Sequence, residues 1–107
     1  MREVDLDVFA SELAEGAFAI DVREPDEYRD GHVPGVRPAP LSELGAHLAA
    51  FPADRPVYVI CASGNRSAWA AEHLEAVGVR AVSVTGGTSG WARTGRPIVR
   101  GTDARAA

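Results

Sequence analysis

The stretch VYVICASGNRSAWAAEHLEAVG, residues 57–78, decides the fold of this chain. It begins with four apolar, strand-forming residues that run into Cys61. A turn-prone segment containing Gly64 follows, and then comes an alanine-rich segment with apolar residues at helical spacing. A buried strand, a tight loop and a helix in succession indicate an α/β domain with a largely parallel sheet.

The rest of the chain repeats this alternation of short apolar segments with helical ones. The predicted strands cover 17–22, 35–40, 57–60 and 81–84. The segment 57–60 is bounded like a central strand, whereas Pro38 and Pro40 cannot donate to a ladder and place 35–40 at a sheet edge. The predicted helices cover 7–13, 24–31, 41–51 and 67–77, with a weak helix in 86–99 that Gly90 interrupts.

Two serines are candidates for helix N-caps, because a serine hydroxyl can accept from the free N–H groups of a first helical turn. Ser67 would cap the 67–77 helix, and Ser42 would cap the 41–51 helix. The inward face of the 67–77 helix is predicted to consist of Ala70, Ala71, Leu74 and Val77.

The length of 107 residues suits one domain with a single modest core. We assign residues 1–99 to this domain and predict that the small, polar residues 100–107 form a flexible tail. The N-terminal sequence is acidic without an apolar signal segment, and no apolar run reaches the length of a membrane span. We therefore expect a cytoplasmic protein without a membrane partner.

The composition excludes several classes of site. The single cysteine, Cys61, rules out an internal disulfide, a CxxC redox pair and a cysteine-based zinc site. All eleven basic residues are arginines, so lysine Schiff-base chemistry and the Walker-A phosphate loop are excluded. The three histidines lie far apart in sequence, and we predict neither a metal nor a cofactor. The net charge of −4 disfavours nucleic acid as a partner.

Cys61 lies where an open α/β sheet places its sites, at the carboxyl end of a strand that leads into a helix. Gly64 allows the following loop to curl so that successive N–H groups point inward. Those groups, the helix dipole and the charge of Arg66 would stabilise an anion at the centre of the loop. We therefore predict a thiol with a lowered pKa, suited to act as a nucleophile beside an anion pocket.

The alternative interpretation of Cys61 is structural. Free cysteine is among the most buried residue types, and a lone cysteine at the end of a strand is commonly a packing residue. The Gly-Asn-Arg-Ser sequence at 64–67 favours the catalytic interpretation without deciding between the two.

Three segments together resemble a known family. They are IDVREPDEYRDGHVPGV (20–36), VICASGNRSAWAAEHLEAVG (59–78) and VTGGTSGWARTGRP (84–97). In order and spacing they are similar to the hallmark segments of single-domain rhodanese-like proteins, and the resemblance extends from about Val4 to Val99. It implies a three-layer α/β/α fold with a five-stranded, largely parallel central sheet, and sulfur transfer through a cysteine persulfide.

By position, the resemblance implies that Cys61 is the nucleophile and that backbone amides of the following loop hold the anionic sulfur. That loop consists of Ala62, Ser63, Gly64, Asn65 and Arg66. The thiolate would take sulfur from a small sulfur-containing anion, either thiosulfate or a persulfide donor. The acceptor would be cyanide, a thiol or a partner protein.

Two alternative functions remain. Cysteine-dependent phosphatases and arsenate reductases of similar fold place five residues between Cys and Arg, whereas four separate Cys61 from Arg66. Since one residue spans at most about 3.5 Å, the shorter ring is too tight for a phosphoryl group. The second alternative is a rhodanese-fold sulfur carrier or binding module with little thiosulfate activity. Ala62 keeps it open, because many family members carry there an arginine that would recruit thiosulfate.

Asp21 and Arg23 close the second predicted strand at the same edge of the sheet. Together with Ser67 they could support the active loop. For Asp21 and Arg23 we prefer a structural ion pair or loop hydrogen bond, because a carboxylate close to the sulfur would oppose thiolate formation. His32 is expected to be a hydrogen-bonded turn residue, and Trp91 a core residue.

Overall fold

A computed structural model describes residues 1–104 of the chain. The strands cover Arg2–Val4 (β1), Phe18–Asp21 (β2), Arg37–Pro38 (β3), Val57–Ile60 (β4) and Ala81–Val84 (β5). The α-helices cover Leu6–Ala14 (α1), Pro25–Asp30 (α2), Leu44–His47 (α3), Asn65–Ala76 (α4) and Gly87–Arg93 (α5). Strands and helices therefore alternate along most of the described chain, as the apolar pattern predicts.

The strands form one sheet in the order β1-β5-β4-β2-β3, and every neighbouring pair is parallel. β4 is central, and Asp21 at the end of β2 lies opposite Ile60 at the end of β4. β3 lies at one edge, as Pro38 predicts. The parallel α/β architecture is thus confirmed, and it places residue 61 at the carboxyl end of the central strand.

Each face of the sheet carries its own core, because side chains along a strand alternate between the two faces. Val59 and Cys61 belong to the core that also contains Leu44 of α3 and Leu74 of α4. Ile60 belongs to the opposite core, which contains Phe9 of α1 and Trp91 of α5. The predicted three-layer α/β/α arrangement and the core position of Trp91 are therefore confirmed.

Strand β1 was absent from the predicted strands. Arg2 and Glu3 are exposed and Val4 is half-buried, so the segment lacks the apolar run of a buried strand. It forms because these three residues pair with residues 82–84 of β5. This contact joins segments about 80 residues apart and leaves no local pattern in the sequence.

Helix α4 begins two residues earlier than predicted, and Ser67 is not its cap. The N-cap is Gly64, in the left-handed region with φ +117°, and its carbonyl accepts the first helical hydrogen bond from Ala68. Ser67 lies inside the first turn and is buried. Val77, predicted to face inward, is 61% exposed, because it follows the last helical residue while Leu74 faces the core.

The segment 41–51 is not a continuous helix. A single α-helical turn is flanked by 3₁₀ turns at Leu41–Glu43 and Leu48–Ala50. Pro40 rather than Ser42 precedes the first turn, and no side-chain hydrogen bond caps it. Pro40 therefore occupies the N-cap position predicted for Ser42, and its ring fixes the backbone φ there.

Gly90 does not interrupt α5, contrary to the prediction. It is buried inside the helix, where an added Cβ would lie 2.9 Å from Cδ1 of Leu6. The missing side chain thus allows α5 to pack closely against Leu6. The cost of glycine inside a helix is offset by this packing.

Residues 100–104, predicted to belong to a flexible tail, are hydrogen-bonded to the domain. The N–H of Gly101 donates to the carbonyl of Arg29 over 3.0 Å, and the carbonyl of Ala104 accepts from the N–H of Gly35 over 2.8 Å. The rest of the predicted tail, 105–107, lies outside the described residues. No helix within 1–104 has both the length and the apolar character needed to cross a membrane.

Candidate active site

Cys61 is the first residue after β4, and its side chain is buried with 1% exposure. The N–H of Gly64 donates to its Sγ over 3.1 Å, and the Oγ of Ser67 lies 3.6 Å from the same atom. The burial of Cys61 agrees with the structural interpretation, and its role as a nucleophile stays a prediction. Cys61 is a core residue, and its sulfur is also held at the N-terminus of a helix.

The backbone conformation of Gly64 explains how its N–H reaches the sulfur. Its φ of +117° and ψ of −14° lie in the region that L-residues with side chains rarely adopt. The turn directs the amide of Gly64 back toward Cys61 and begins α4 at the next residue. The curled loop predicted from Gly64 is thus present, and the positive end of the dipole of α4 faces it.

The surroundings of the sulfur lower the pKa of the Cys61 thiol below its ordinary value. Burial alone would raise this pKa. The hydroxyl of Ser67 and the backbone N–H groups of Ser67, Gly64 and Ser63 outweigh burial, because they stabilise the thiolate by hydrogen bonding. The direction of the shift agrees with the predicted anion pocket.

A pair of buried serine hydroxyls lies behind the sulfur. The hydroxyl of Ser67 donates to the carbonyl of Gly64 over 3.0 Å and lies 2.9 Å from Oγ of Ser83 on β5. To stabilise a thiolate, the Ser67 hydroxyl must turn from Gly64 toward the sulfur, and Ser83 can then donate to Ser67. Sequence reasoning missed Ser83, whose only signal is a polar side chain within the apolar strand AVSV.

Helix α5 holds the loop from the opposite side. The N–H of Thr88 donates to the carbonyl of Cys61 over 2.8 Å, and the N–H of Ser89 donates to the carbonyl of Ala62 over 3.0 Å. These two bonds fix the backbone direction at the point where the strand becomes the loop. The sequence does not identify Thr88 or Ser89 as a candidate, because both contribute through backbone N–H groups, which nearly every residue type has.

Arg66, the last residue of the loop, forms a two-pronged ion pair with Glu27 of α2. Its Nη1 and Nη2 lie 2.7 Å and 2.9 Å from Oε1 and Oε2 of Glu27. The hydrogen bonds from Arg66 lower the pKa of Glu27 to about 2, so the carboxylate is ionised throughout the neutral range. The full positive charge expected at Arg66 is therefore balanced within the protein, and Glu27 was missed from the sequence.

Asp21 and Arg23 form a buried ion pair at the end of β2. Nη2 of Arg23 lies 2.8 Å from Oδ2 of Asp21, and Oδ1 of Asp21 accepts from the backbone N–H of Arg23 over 3.0 Å. Arg23 also donates to the carbonyl of Gly31 over 2.7 Å. The interpretation that we preferred for Asp21 and Arg23, an ion pair or loop hydrogen bond, is therefore confirmed. Their support of the active loop stays a prediction.

His32 does not belong to the site. His32 is buried, and its Nδ1 lies 2.9 Å from the carbonyl oxygen of Tyr28. The prediction that His32 is a hydrogen-bonded turn residue is therefore confirmed. Within residues 1–104, no three His, Cys, Asp or Glu side chains are grouped in a way that could hold a metal ion.

The chain resembles known proteins over most of its length. A family model described as a rhodanese-like domain matches residues 5–94. A sulfurtransferase of Allochromatium vinosum is 33% identical over 102 residues, which cover 92% of this chain and 95% of that protein. YrkF of Bacillus subtilis, whose name proposes a sulfur carrier, is 34% identical over 92 residues, covering 83% of this chain and 50% of YrkF. The crystal structure of a rhodanese-related protein from Thermoplasma volcanium matches with a TM-score of 0.85 and 34% identity, covering 92% of this chain and 98% of that one.

Proposed function

This chain belongs to the rhodanese-like domain family, and we propose that it is a sulfurtransferase that carries sulfane sulfur as a persulfide on Cys61. The observation that supports this proposal most directly is the hydrogen bond of 3.1 Å from the Gly64 N–H to the Cys61 sulfur. A hydrogen bond donated to the sulfur stabilises the thiolate, which is the form that attacks sulfur.

The proposed reaction has two displacements. The Cys61 thiolate attacks the outer sulfur of a donor such as thiosulfate, a new S–S bond forms on Cys61, and sulfite leaves with the electron pair of the broken S–S bond. Cyanide or an acceptor thiolate then attacks the outer sulfur of the persulfide, and the Cys61 thiolate leaves. No proton has to be moved in either step, so a general base is not required once the thiolate is present.

The loop suits the intermediate as well as the thiolate. A persulfide extends the side chain by one sulfur and keeps one negative charge, which needs N–H donors and a helix dipole more than a cation. Gly64 and the N-terminus of α4 supply these at the point where the loop closes. The hydroxyl of Ser67 would then have to turn toward the inner sulfur.

The proposal is tested by intact-protein mass spectrometry before and after incubation with thiosulfate, and again after cyanide. We expect a gain of one sulfur atom that maps to the peptide containing Cys61 and disappears with cyanide. Cys61→Ser is the matched control, since it changes one atom in the loop. Failure of every sulfane donor to load a Cys61 that still reacts with iodoacetamide would refute the proposal.

A second candidate is a sulfur carrier that accepts persulfide sulfur from a partner and turns over thiosulfate poorly. It is favoured by the neutral Ala62 next to the nucleophile and by the pairing of Arg66 with Glu27. Thiocyanate formation from thiosulfate and cyanide separates the two candidates. A carrier would load from a small-molecule persulfide while its thiocyanate formation stayed at the level of the Cys61→Ser protein.

A further inference from the structure

The charges around the loop are arranged in pairs. Both terminal nitrogens of Arg66 are engaged by both carboxylate oxygens of Glu27, at 2.7 Å and 2.9 Å. This pair uses one N–H of each terminal nitrogen, and the carboxylate of Glu27 balances the charge of the guanidinium. The charge on Cys61 and the guanidinium of Arg66 nevertheless interact, since that charge contributes to the raised pKa of Arg66 after the larger effect of Glu27.

The cleft beside the loop adds no compensating positive charge. It has a volume of about 260 Å³ and borders the loop through Thr88 and Ser89. Its charged lining residues are Arg23, Glu27 and Asp30, and Arg23 is already paired with Asp21. The charge at this side of the loop is therefore balanced or negative.

Because of this charge balance, the affinity of the loop for a sulfur donor depends on the charge of the donor. A doubly charged donor such as thiosulfate brings one more negative charge to the loop than a donor with a single charge does. Because Glu27 balances the charge of Arg66, that second charge meets no unbalanced cation in the loop, and the carboxylate of Glu27 repels it. A singly charged donor is held by the N–H groups at the helix N-terminus and lacks this additional repulsion.

We propose that Glu27 is a specificity-determining residue that, by balancing the charge of Arg66, selects sulfur donors with a single negative charge over dianions such as thiosulfate. This inference rests on the sulfur transfer proposed above. It assigns the donors to the class of singly charged persulfides and related thiosulfonate anions. Glu27 exerts this selection from α2 without touching the reacting sulfur.

The test compares two donors that transfer the same sulfur by the same displacement. Thiosulfate carries two negative charges, and the methanethiosulfonate anion carries one. We expect Glu27→Gln to raise kcat/KM for thiosulfate about fivefold relative to that for methanethiosulfonate, the order of effect of removing one half-buried charge near the loop. The glutamine keeps an amide oxygen that can accept from the Glu24 N–H, as Glu27 does over 3.0 Å.

Asp26→Asn is the matched control, because it removes one negative charge from an exposed residue of the same helix. It should leave the ratio of the two donors unchanged within about twofold, since an exposed charge away from the loop is screened by salt. Glu27→Met, which also removes the charge and keeps the side-chain length, gives a second measurement if the glutamine variant unfolds.

The outcomes separate this inference from the proposed function. Loading of Cys61 by methanethiosulfonate with an unchanged donor ratio in both Glu27 variants overturns the role of Glu27 and leaves sulfur transfer standing. The same is true if Asp26→Asn shifts the ratio as much as Glu27→Gln does. Loading by neither donor overturns this inference, and the proposed function falls with it only if small-molecule persulfides also fail to load Cys61.

Discussion

Gly87 lies against the carbonyl groups of Cys61 and Ala62 with no room for a side chain. A Cβ at this position would lie 2.6 Å from the carbonyl oxygen of Cys61 and closer still to that of Ala62. The φ of Gly87 is +59°, in the region that favours glycine. Gly87 therefore permits the approach by which Thr88 and Ser89 hold the active loop.

We predict that Gly87→Ala displaces the loop and lowers the rate of persulfide formation at least about tenfold, because a small misplacement of reacting groups is costly. Overpacking should also lower the unfolding free energy of the variant by about 1–3 kcal/mol, in addition to the backbone strain of a positive φ. Stopped-flow loading of Cys61 and urea denaturation measure the two effects.

Gly78→Ala is the matched control for that variant. Gly78 also has a positive φ, +90°, but no atom lies within 4 Å of its added Cβ. It should lose stability through backbone strain alone, by about 1–2 kcal/mol, and keep its rate of sulfur loading. Equal loading rates in the two folded variants would show that the contact of Gly87 does not position the loop.

The second prediction concerns the ionisation of Cys61. Because hydrogen bonds from Ser67, Gly64 and Ser63 outweigh burial, the pKa of Cys61 should lie below the free-cysteine value of about 8.5. The rate of alkylation by iodoacetamide as a function of pH measures this pKa directly. A value at or above that of free cysteine would contradict the anion pocket.

Removing the Ser67 hydroxyl should move the same pKa upward. Ser67→Ala takes away the largest of the effects that lower it, while burial remains. Ser42→Ala, at an exposed position, is the control and should leave the pKa of Cys61 unchanged. A pKa that stayed constant in Ser67→Ala would assign the shift to the backbone N–H groups alone.

The position of Cys61 could be predicted because all of its signals are local. Four buried residues, a cysteine, Gly64 and a helix follow one another within residues 57–78, and a parallel sheet brings strand ends to one edge. The start of α4 shows the limit of this reasoning. Serine is a common N-cap residue, but the hydroxyl of Ser67 lies within hydrogen-bonding distance of the Gly64 carbonyl, the Ser83 hydroxyl and the Cys61 sulfur instead.

The partners of the loop could not be predicted from the sequence, because they come from distant segments. Glu27 is 39 residues from Arg66, and Ser83 is 16 residues from Ser67. Strand β1 likewise depends on pairing with β5, about 80 residues further along the chain. Such contacts follow from the packing of helices on the sheet, which local periodicity does not contain.

The ion pair of Glu27 and Arg66 predicts an acid-dependent contribution to stability. The pKa of Glu27 falls from 4.5 to about 2 on folding, chiefly through the hydrogen bonds from Arg66. A lowered pKa means that the contribution is complete above about pH 4.5 and is lost as the pH falls through about 2. Since both side chains are about one-third exposed, we expect at most about 1 kcal/mol.

Urea denaturation of the wild type and of Glu27→Gln between pH 6 and pH 2, an interval that contains both pKa values, tests this contribution. The wild type should be more stable than the variant at the upper end, and the difference should vanish toward the lower end. Asp26→Asn provides the comparison for general charge effects. A difference that did not change with pH would mean that the ion pair contributes nothing to folding.

The last prediction concerns Tyr28, which ties α2 to the loop before β3. Tyr28 is buried, its hydroxyl donates to the carbonyl of Val36, and its ring stacks on His32 with the centroids 3.7 Å apart. Tyr28→Phe leaves the stacked ring and removes the donor to a buried carbonyl. We expect it to lower the unfolding free energy by about 1–3 kcal/mol while Cys61 still loads with sulfur.

The same bond should weaken in alkali. Burial raises the pKa of Tyr28 to about 12, so its contribution is complete below about pH 10 and is lost as the pH rises through about 12. The difference in unfolding free energy between the wild type and Tyr28→Phe should therefore narrow over that interval. A tyrosinate cannot donate a hydrogen bond to the carbonyl of Val36. A difference in unfolding free energy that stayed constant from about pH 10 to about pH 12 would therefore show that this hydrogen bond is not the source of the stabilisation by Tyr28.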